Sequence, residues 1–226
     1  MSVSSYFREH PSAGLLVVQL SGLLLYPWME RSAQGRALFG AFGLLVLGLA
    51  LRVVRRSPWL TWVAALLAMP VIVMALISLV APRAEIGVAI AAFEAAVYFY
   101  AAGSLIAYML QDWDTTTDEL FAAGATFTLL AWAFAYVYVV QQALSPGSFS
   151  AAQDPLASRS WMELLYLSVI VLSSVGLSDV APVSPMARGI VMLEAFTGVM
   201  YMALVVSRLI GLIAMKRERA RAPREG

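Results

Sequence analysis

A short polar turn, residues 173–182, contains the residue types in this chain that could do chemistry. It reads Ser-Ser-Val-Gly-Leu-Ser-Asp-Val-Ala-Pro, and it separates a hydrophobic stretch (162–172) from a long apolar helix pattern (185–215). Its chemical groups are three hydroxyls, one carboxylate and the backbone itself. Non-helical backbone at membrane depth is tolerated only where protein buries it or where it lines a water-filled cavity. The turn is therefore the candidate site.

Nucleophilic catalysis is the first chemistry that the serines of this turn could support, and it lacks a base. His10 is the only histidine and precedes the first apolar stretch, far from Ser173, Ser174 and Ser178. The chain has no cysteine, and it contains no phosphate-binding glycine loop, metal-ligand cluster or zinc-protease helix motif. We therefore predict that the protein is not an enzyme and has no catalytic residue, no bound metal and no cofactor.

The composition predicts an integral membrane protein. Hydrophobic residues make up 61% of the 226 residues and charged residues only 13%, against roughly 25% charged residues in a soluble domain. Apolar stretches of about 17–25 residues predict membrane-spanning helices. Six such stretches lie near 13–29, 37–54, 59–81, 86–110, 119–143 and 185–213. The first apolar stretch is also compatible with a cleaved signal peptide, for which residues 32–34 would be a weak cleavage site.

The distribution of basic residues predicts the orientation. Six spans place both termini on one side, and that side carries nine Lys and Arg residues against five on the other. Because positive charge favours the cytoplasmic side, we expect a multi-pass protein of the plasma or inner membrane with both termini in the cytoplasm.

The hydrophobic piece from Ser160 to Ser173 is too short to be a seventh span. About 14 residues form a helix of ~21 Å, and the hydrocarbon layer is ~30 Å thick. We expect this piece to enter from outside, turn at 174–178 and return at Asp179. Residues 145–148 and 181–182, which flank this piece and its turn on either side, contain proline and other residues that favour turns. A re-entrant loop that conducts nothing would have the same topology.

The order of short helix, glycine turn, Asp, Pro and long helix resembles the pore module of the potassium channel superfamily. In that family Thr-Val-Gly-Tyr-Gly-Asp follows the pore helix, and the carbonyls of the loop replace the hydration shell of the ion. Aligned on Val175 and Gly176, this chain has Ser174 for Thr, Leu177 for Tyr, Ser178 for the second Gly and Asp179 for Asp. Gly198, 22 residues after Gly176, falls where the inner helix of the family usually has its hinge glycine.

The resemblance extends over about 115–212 and includes bacterial channel-like proteins with several spans ahead of the outer, pore and inner helices. Its landmarks are Ala131-Trp132-Ala133-Phe134, Pro146-Gly147-Ser148-Phe149, 182–193, Tyr201-Met202-Ala203 and 207–212. It implies an all-α fold with six transmembrane helices, a re-entrant pore helix and filter loop between the fifth and sixth, and a tetrameric pore. The implied partners are three further copies of the chain, membrane lipid and monovalent cations, potassium among them. We expect no nucleic-acid partner.

The domain division follows from the resemblance. Residues 1–114 would form a four-helix membrane domain in the position of a voltage sensor, 115–215 the pore domain, and 216–226 a basic cytoplasmic tail. The fourth span contains no ladder of arginines at three-residue spacing. Voltage sensors need such a ladder to move charge through the membrane field, so we expect no strong voltage dependence.

The resemblance assigns roles to individual residues. Residues Ser174, Val175, Gly176, Leu177 and Ser178 would form the ion-conducting filter. Asp179 would either attract cations at the outer mouth or cap nearby backbone amides. Glu163 would complement the amino-terminal dipole of the pore helix, and Gly198 would be the gating hinge. Glu194 would bond behind the filter, bond across a subunit boundary, or contact the ion.

Other acidic residues admit several roles. Glu94 would pair with a neighbouring span or relay protons. Together with Glu194 it leaves a secondary transporter conceivable, although the chain has no internal repeat of the kind transporters show. Four acidic residues precede the fifth span: Asp112, Asp114, Asp118 and Glu119. They would sense divalent cations or protons, or form a solvated linker that caps the next helix.

Two departures from the family pattern have physical consequences. A conducting loop alternates between right- and left-handed backbone, and a residue other than glycine loses ~1–2 kcal/mol in the left-handed region. Ser178 lacks that freedom, and Leu177 lacks the phenol that ties the filter to the pore helix. We expect a filter held by packing, and both changes count against high potassium selectivity. The prediction is a tetrameric monovalent cation channel; the alternative is a non-conducting, channel-like structural or sensory membrane protein.

Overall fold

The structure, a computed structural model, describes residues 10–29, 42–43, 45–50, 52, 61–80, 84–111 and 117–221. The elements are α1 (Pro11–Met29), α2 (Thr61–Val80), α3 (Ala84–Gln111), α4 (Thr117–Leu144), β1 (Phe149–Ala151), α5 (Trp161–Leu172), β2 (Val180–Pro182) and α6 (Pro185–Arg221). The predicted all-helical class is confirmed. The two three-residue strands were not predicted.

Four of these helices are long and apolar enough to cross a membrane: Pro11–Trp28, Glu85–Leu110, Asp118–Leu144 and Pro185–Arg208. They coincide with the first, fourth, fifth and sixth predicted spans. The third predicted span corresponds to α2, whose apolar part, Trp62–Ser78, is shorter. Half of the second, 37–54, lies outside the described residues, and its described positions are helical.

Helix α4 is the centre of the bundle. It contacts α1, α3, α5 and α6, and it is the most buried of the four possible spans. Small side chains let neighbouring helices approach it closely. The buried alanines of α4 are Ala122, Ala125, Ala131, Ala133 and Ala135. Helix α6, by contrast, packs on α4 and α5 and is the least buried of the four spans, with 17% of Pro185–Arg208 inside the chain.

Aromatic side chains join four helices near the end of α4. The ring of Trp132 lies 5.2 Å from Trp161 of α5 and 5.9 Å from Tyr98 of α3, in both cases edge to face. Tyr26 of α1 lies 5.3 Å from Trp161. Edge-to-face pairs at these distances are favourable beyond the area they bury, so the start of α5 packs on α1 and α4, and α4 in turn packs on α3.

The two strands brace the loops on either side of the turn. β1 and β2 pair antiparallel, with Phe149 opposite Pro182 and Ala151 opposite Val180. The carbonyl of Ser148 accepts a hydrogen bond from Val183 N at 2.9 Å, while its hydroxyl donates to Ser145 O at 2.6 Å. The end of α4 is thereby connected to the start of α6. We call this end of the bundle, which contains residues 144–184, the turn end. The end at which α1 and α4 begin is called the base.

Candidate functional site

Helix α5 begins with a capping box. Glu163 N donates to Ser160 Oγ at 3.3 Å, and Ser160 N donates to the Glu163 carboxylate at 2.6 Å. Each bond satisfies an amide that the helix itself leaves free. The carboxylate also complements the helix dipole, and Glu163 takes the structural place that the sequence predicted for it.

Arg159 organises the loop ahead of α5. Its guanidinium donates to Asp154 O at 2.6 Å and Ala157 O at 3.0 Å and pairs with Glu163 at 3.2 Å. Its backbone exchanges two hydrogen bonds with the side-chain amide of Gln142, at 2.7 and 2.9 Å. The loop and the first turn of α5 are therefore fixed to the end of α4. This role of Arg159 could not be predicted from the sequence, since a single arginine beside a capping box has no distinct pattern.

After Leu172 the chain folds back on the last turn of α5. The carbonyl of Ile170 accepts from Val175 N at 3.1 Å and from Gly176 N at 3.3 Å, and Ser174 N donates to Val171 O at 3.0 Å. The amides of the turn thus point towards α5. Their bonds satisfy carbonyls that the end of a helix leaves without partners.

The backbone of the turn alternates in hand over its first half. Ser174 has φ +62° and Gly176 has φ +73°, whereas Val175 between them is outside the left-handed region. The left-handed region costs a serine ~1–2 kcal/mol. The alternation does not continue into the second half of the turn, because Ser178 does not have a positive φ. Its hydroxyl instead accepts from Val180 N at 3.1 Å.

The second half of the turn has a polar tie to α5. Tyr166 OH donates to the backbone carbonyl of Leu177 at 3.0 Å. The prediction that this part would be held more by packing than by polar bonds did not include this hydrogen bond: the hydroxyl comes from α5 and the acceptor is backbone, so the leucine side chain plays no part. The bond also directs the Leu177 carbonyl towards Tyr166.

The turn is largely exposed within a single chain. The side chains of Val175 and Leu177 are 56% and 76% exposed, and Asp179 is exposed as well. No hydrogen bond or ion pair of the Asp179 side chain occurs within the described part of the chain. Two roles were predicted for Asp179. Capping of a nearby backbone amide is not observed, because the hydroxyl of Ser178 accepts the hydrogen bond from Val180 N.

Gly198 lies where the backbone of α6 touches the end of α5. A Cβ added there would lie 2.9 Å from both Cα and the carbonyl carbon of Leu172, and closer still to the carbonyl oxygen. Real Cβ atoms do not approach backbone so closely. Gly198 thus allows a direct backbone contact with the residue that precedes the turn. Helix α6 continues without interruption through this position, and the gating hinge stays a prediction.

Glu194 lies one helical turn before Gly198 and is fully buried. Its two carboxyl oxygens hydrogen-bond with the hydroxyls of Tyr138 on α4 and Ser168 on α5. Ser168 Oγ also donates to Ala131 O at 2.8 Å. Of the predicted alternatives, the geometry corresponds to bonding behind the turn within one chain.

The arrangement is a long helix, a short helix, an exposed turn that folds back on it, and a second long helix. A model of the ion channel family matches residues 124–214. This segment is an ion channel domain. It belongs to the potassium channel superfamily that the turn resembles, and the protein is accordingly a membrane protein of ion transport. Neither a search of curated proteins nor a search of solved structures found a match.

The ion channel domain contains each predicted site residue. It begins within α4, includes α5 and the turn 174–179, and ends within α6. By the resemblance to potassium channels, α4 would be the outer helix, α5 the pore helix and α6 the inner helix, with the turn at the filter position, and these names are used below. The structure brings Gly198 and the end of the pore helix together, and it joins Glu194 to the pore and outer helices. Glu163 lies at the other end of the pore helix.

At the base, the acidic start of the outer helix is buried and paired. Asp118 accepts hydrogen bonds from Ser12 N at 3.1 Å and Ser12 Oγ at 3.0 Å, and Glu119 pairs with Arg208 of the inner helix at 3.4 Å. A solvated linker is therefore wrong for these two residues, whose exposure is 5% and 6%. The first helical turn of α4 therefore contacts both α1 and α6. Asp112 and Asp114 lie outside the described residues.

Glu94 of α3 faces the ion channel domain. Its carboxylate hydrogen-bonds with Tyr136 of the outer helix, and a Cβ on Gly43 would lie 3.7 Å from its Oε1. Of the two predicted roles, pairing with a neighbouring span has this contact in its favour.

Proposed function

We propose that four copies of this chain surround a central axis and pass monovalent cations, potassium among them, between their 174–179 turns. Each copy would contribute one filter turn, one pore helix and one inner helix, while residues 1–114 flank this core. We further propose a cell-membrane protein with six spans and both termini, including the basic tail 216–226, in the cytoplasm.

The observation that carries this proposal is the exposure of polar backbone at the turn. Residues 174–177 are exposed and not helical, and they follow a pore helix of 12 residues, which reaches only ~18 Å. Such backbone cannot face lipid, where every unsatisfied amide or carbonyl costs several kcal/mol. An axis that holds water and ions, shared by several copies, is the environment that satisfies it.

The exposure of the inner helix supports an assembly around that axis. Many large apolar side chains of α6 are exposed in the single chain. These are Met186, Met192, Leu193, Phe196, Val199, Met200, Met202, Val206 and Ile210. A single turn cannot enclose a pore. In the proposed tetramer this face would pack against inner helices of neighbouring copies and line the path below the filter.

The charges near the turn favour a cation over an anion. The carboxyl end of the pore helix points at the turn and carries a partial negative charge. In a tetramer four exposed Asp179 carboxylates would surround the outer mouth and raise the local cation concentration. We propose that gating bends the inner helix near Gly198, below this filter.

Cation flux through liposomes that contain the purified full chain tests the proposal. We expect potassium efflux well above that of empty vesicles, and Asp179→Asn should reduce it several-fold at low ionic strength and less at high ionic strength, because salt screens surface charge. The matched control is Asp154→Asn, which removes one carboxylate from the same end of the chain outside the turn, at a residue with φ +55° that asparagine also adopts.

A specific observation favours the alternative of a non-conducting relative. The Leu177 carbonyl already accepts from Tyr166, and Ser178 is not left-handed, so the outer half of the filter would present few carbonyls to an ion. A non-conducting protein predicts wild-type flux equal to that of empty vesicles, with no effect of Asp179→Asn. This result would contradict the channel proposal while leaving the fold intact.

A further inference from the structure

We propose that Glu194 carries a proton and, as a neutral carboxyl, positions the pore helix between the outer and inner helices. It would act through a continuous chain of hydrogen bonds from Tyr138 through Glu194 and Ser168 to Ala131 O. Glu194 is here a positioning residue, since it contacts neither the turn nor a permeating ion.

A count of hydrogens requires the extra proton. Three oxygen–oxygen contacts need one hydrogen each: Tyr138 OH with Glu194 Oε2, Ser168 Oγ with Glu194 Oε1, and Ser168 Oγ with Ala131 O at 2.8 Å. The two hydroxyls supply two hydrogens, and a carbonyl supplies none. The carboxyl of Glu194 is the remaining group that can supply the third. Every polar group of this hydrogen-bond network then has a partner, as buried polar networks require.

Among the residues that the structure describes, no ion pair holds Glu194 as an ionised carboxylate. The residue is fully buried, and both ion pairs among the described residues, Arg159 with Glu163 and Arg208 with Glu119, lie elsewhere. The titratable group that faces it from α4 is Tyr138, and from α5 its polar neighbour is the hydroxyl of Ser168. A buried charge without a partner costs far more than a neutral, hydrogen-bonded carboxyl.

The location of this hydrogen-bond network indicates that it would control the position of the pore helix. Ser168 lies four residues before Leu172, and Glu194 four residues before Gly198, so the network is one helical turn from the backbone contact between Leu172 and Gly198. Tyr138 fixes both to the outer helix. Together these contacts set the height and rotation of the pore helix, and therefore the place of the turn that follows it.

An infrared difference spectrum between wild-type protein and Glu194→Gln, recorded in lipid at neutral pH, tests the protonation state. We expect the variant to lose the carbonyl band of a protonated carboxylic acid. Glu163→Gln is the control, because its carboxylate faces Arg159 and its removal should take away carboxylate bands. Loss of carboxylate bands in Glu194→Gln as well would overturn the proposal.

Substitution tests the positioning role. Glutamine is isosteric with a neutral carboxyl and keeps one donor and one acceptor, so Glu194→Gln should preserve thermal stability and flux. Glu194→Ala leaves the buried hydroxyl of Tyr138 without its partner and removes one of the two hydrogen bonds of Ser168, so it should lower Tm on the order of 10 °C. Equal loss in both variants would contradict a neutral carboxyl. The flux readout rests on the proposed function, whereas the spectra and Tm need no conduction, so either proposal can fail alone.

Discussion

Gly198→Ala is expected to lower the thermal stability of the protein and abolish cation flux. The added methyl group would overlap the carbonyl of Leu172 and approach its carbonyl carbon and Cα to 2.9 Å. Backbone cannot move aside as a flexible side chain does, so the inner helix and the end of the pore helix must separate. Overpacking of this kind costs about 1–3 kcal/mol, and in the proposed assembly it would be repeated in every copy. Melting of the purified protein and flux through liposomes measure the two effects.

Gly189→Ala provides the matched control for Gly198→Ala. It makes the same change on the same helix, where an added Cβ meets nothing within 4 Å in the chain. Because alanine favours helix over glycine by roughly 0.5–1 kcal/mol, the control should be neutral or slightly stabilising.

The same pair of variants separates two explanations of Gly198. If Gly198 is needed only for bending, alanine would stiffen the inner helix at this position. The protein would then lose flux while its thermal stability stayed constant or rose. A glycine needed for the backbone contact loses stability as well. Unchanged stability in Gly198→Ala would therefore contradict the contact seen at Leu172.

Replacing Leu177 by tyrosine together with Ser178 by glycine is expected to increase selectivity for potassium over sodium on the order of tenfold. Glycine removes the ~1–2 kcal/mol cost of left-handed backbone at 178, and 1.4 kcal/mol corresponds to a factor of ten in a conformational equilibrium. The alternation of Ser174 and Gly176 could then continue through the outer half of the turn. Flux under opposed potassium and sodium gradients measures the ratio.

A control for this double change is Leu177→Phe with Ser178→Ala. It introduces an aromatic ring of similar size but neither a hydroxyl nor left-handed freedom, and its selectivity should match that of the wild type. If the control gains selectivity equally, ring size rather than backbone freedom at 178 governs the filter. If the tyrosine–glycine variant turns a silent protein into a conducting one, the non-conducting alternative holds for the wild type.

The parts of the fold that local patterns determine could be predicted from the sequence. Apolar stretches predicted α1, α3, α4 and α6 because membrane-spanning helices need about 20 apolar residues. The short hydrophobic piece before the turn predicted the re-entrant helix α5. Gly147, with φ +79°, lies in a turn that its proline–glycine pair indicated.

The contacts that organise the site could not be predicted, because they join residues far apart in the chain. Glu194 meets Ser168 and Tyr138 across 26 and 56 residues, and Asp118 meets Ser12 across 106. Hydrophobic periodicity shows which face of a helix is buried, but it does not show which helix covers it. The bond from Tyr166 could not be predicted either, because its acceptor is a backbone carbonyl, which no residue type reveals.

A density map of the purified full chain in lipid nanodiscs, prepared in potassium, tests the central claim most directly. The proposed function predicts four chains around one axis, the 174–179 turns facing that axis, and ion density between them near Ser174 and Gly176. Chains that remain single, or an assembly in which these turns face lipid or a dry protein contact, would contradict it.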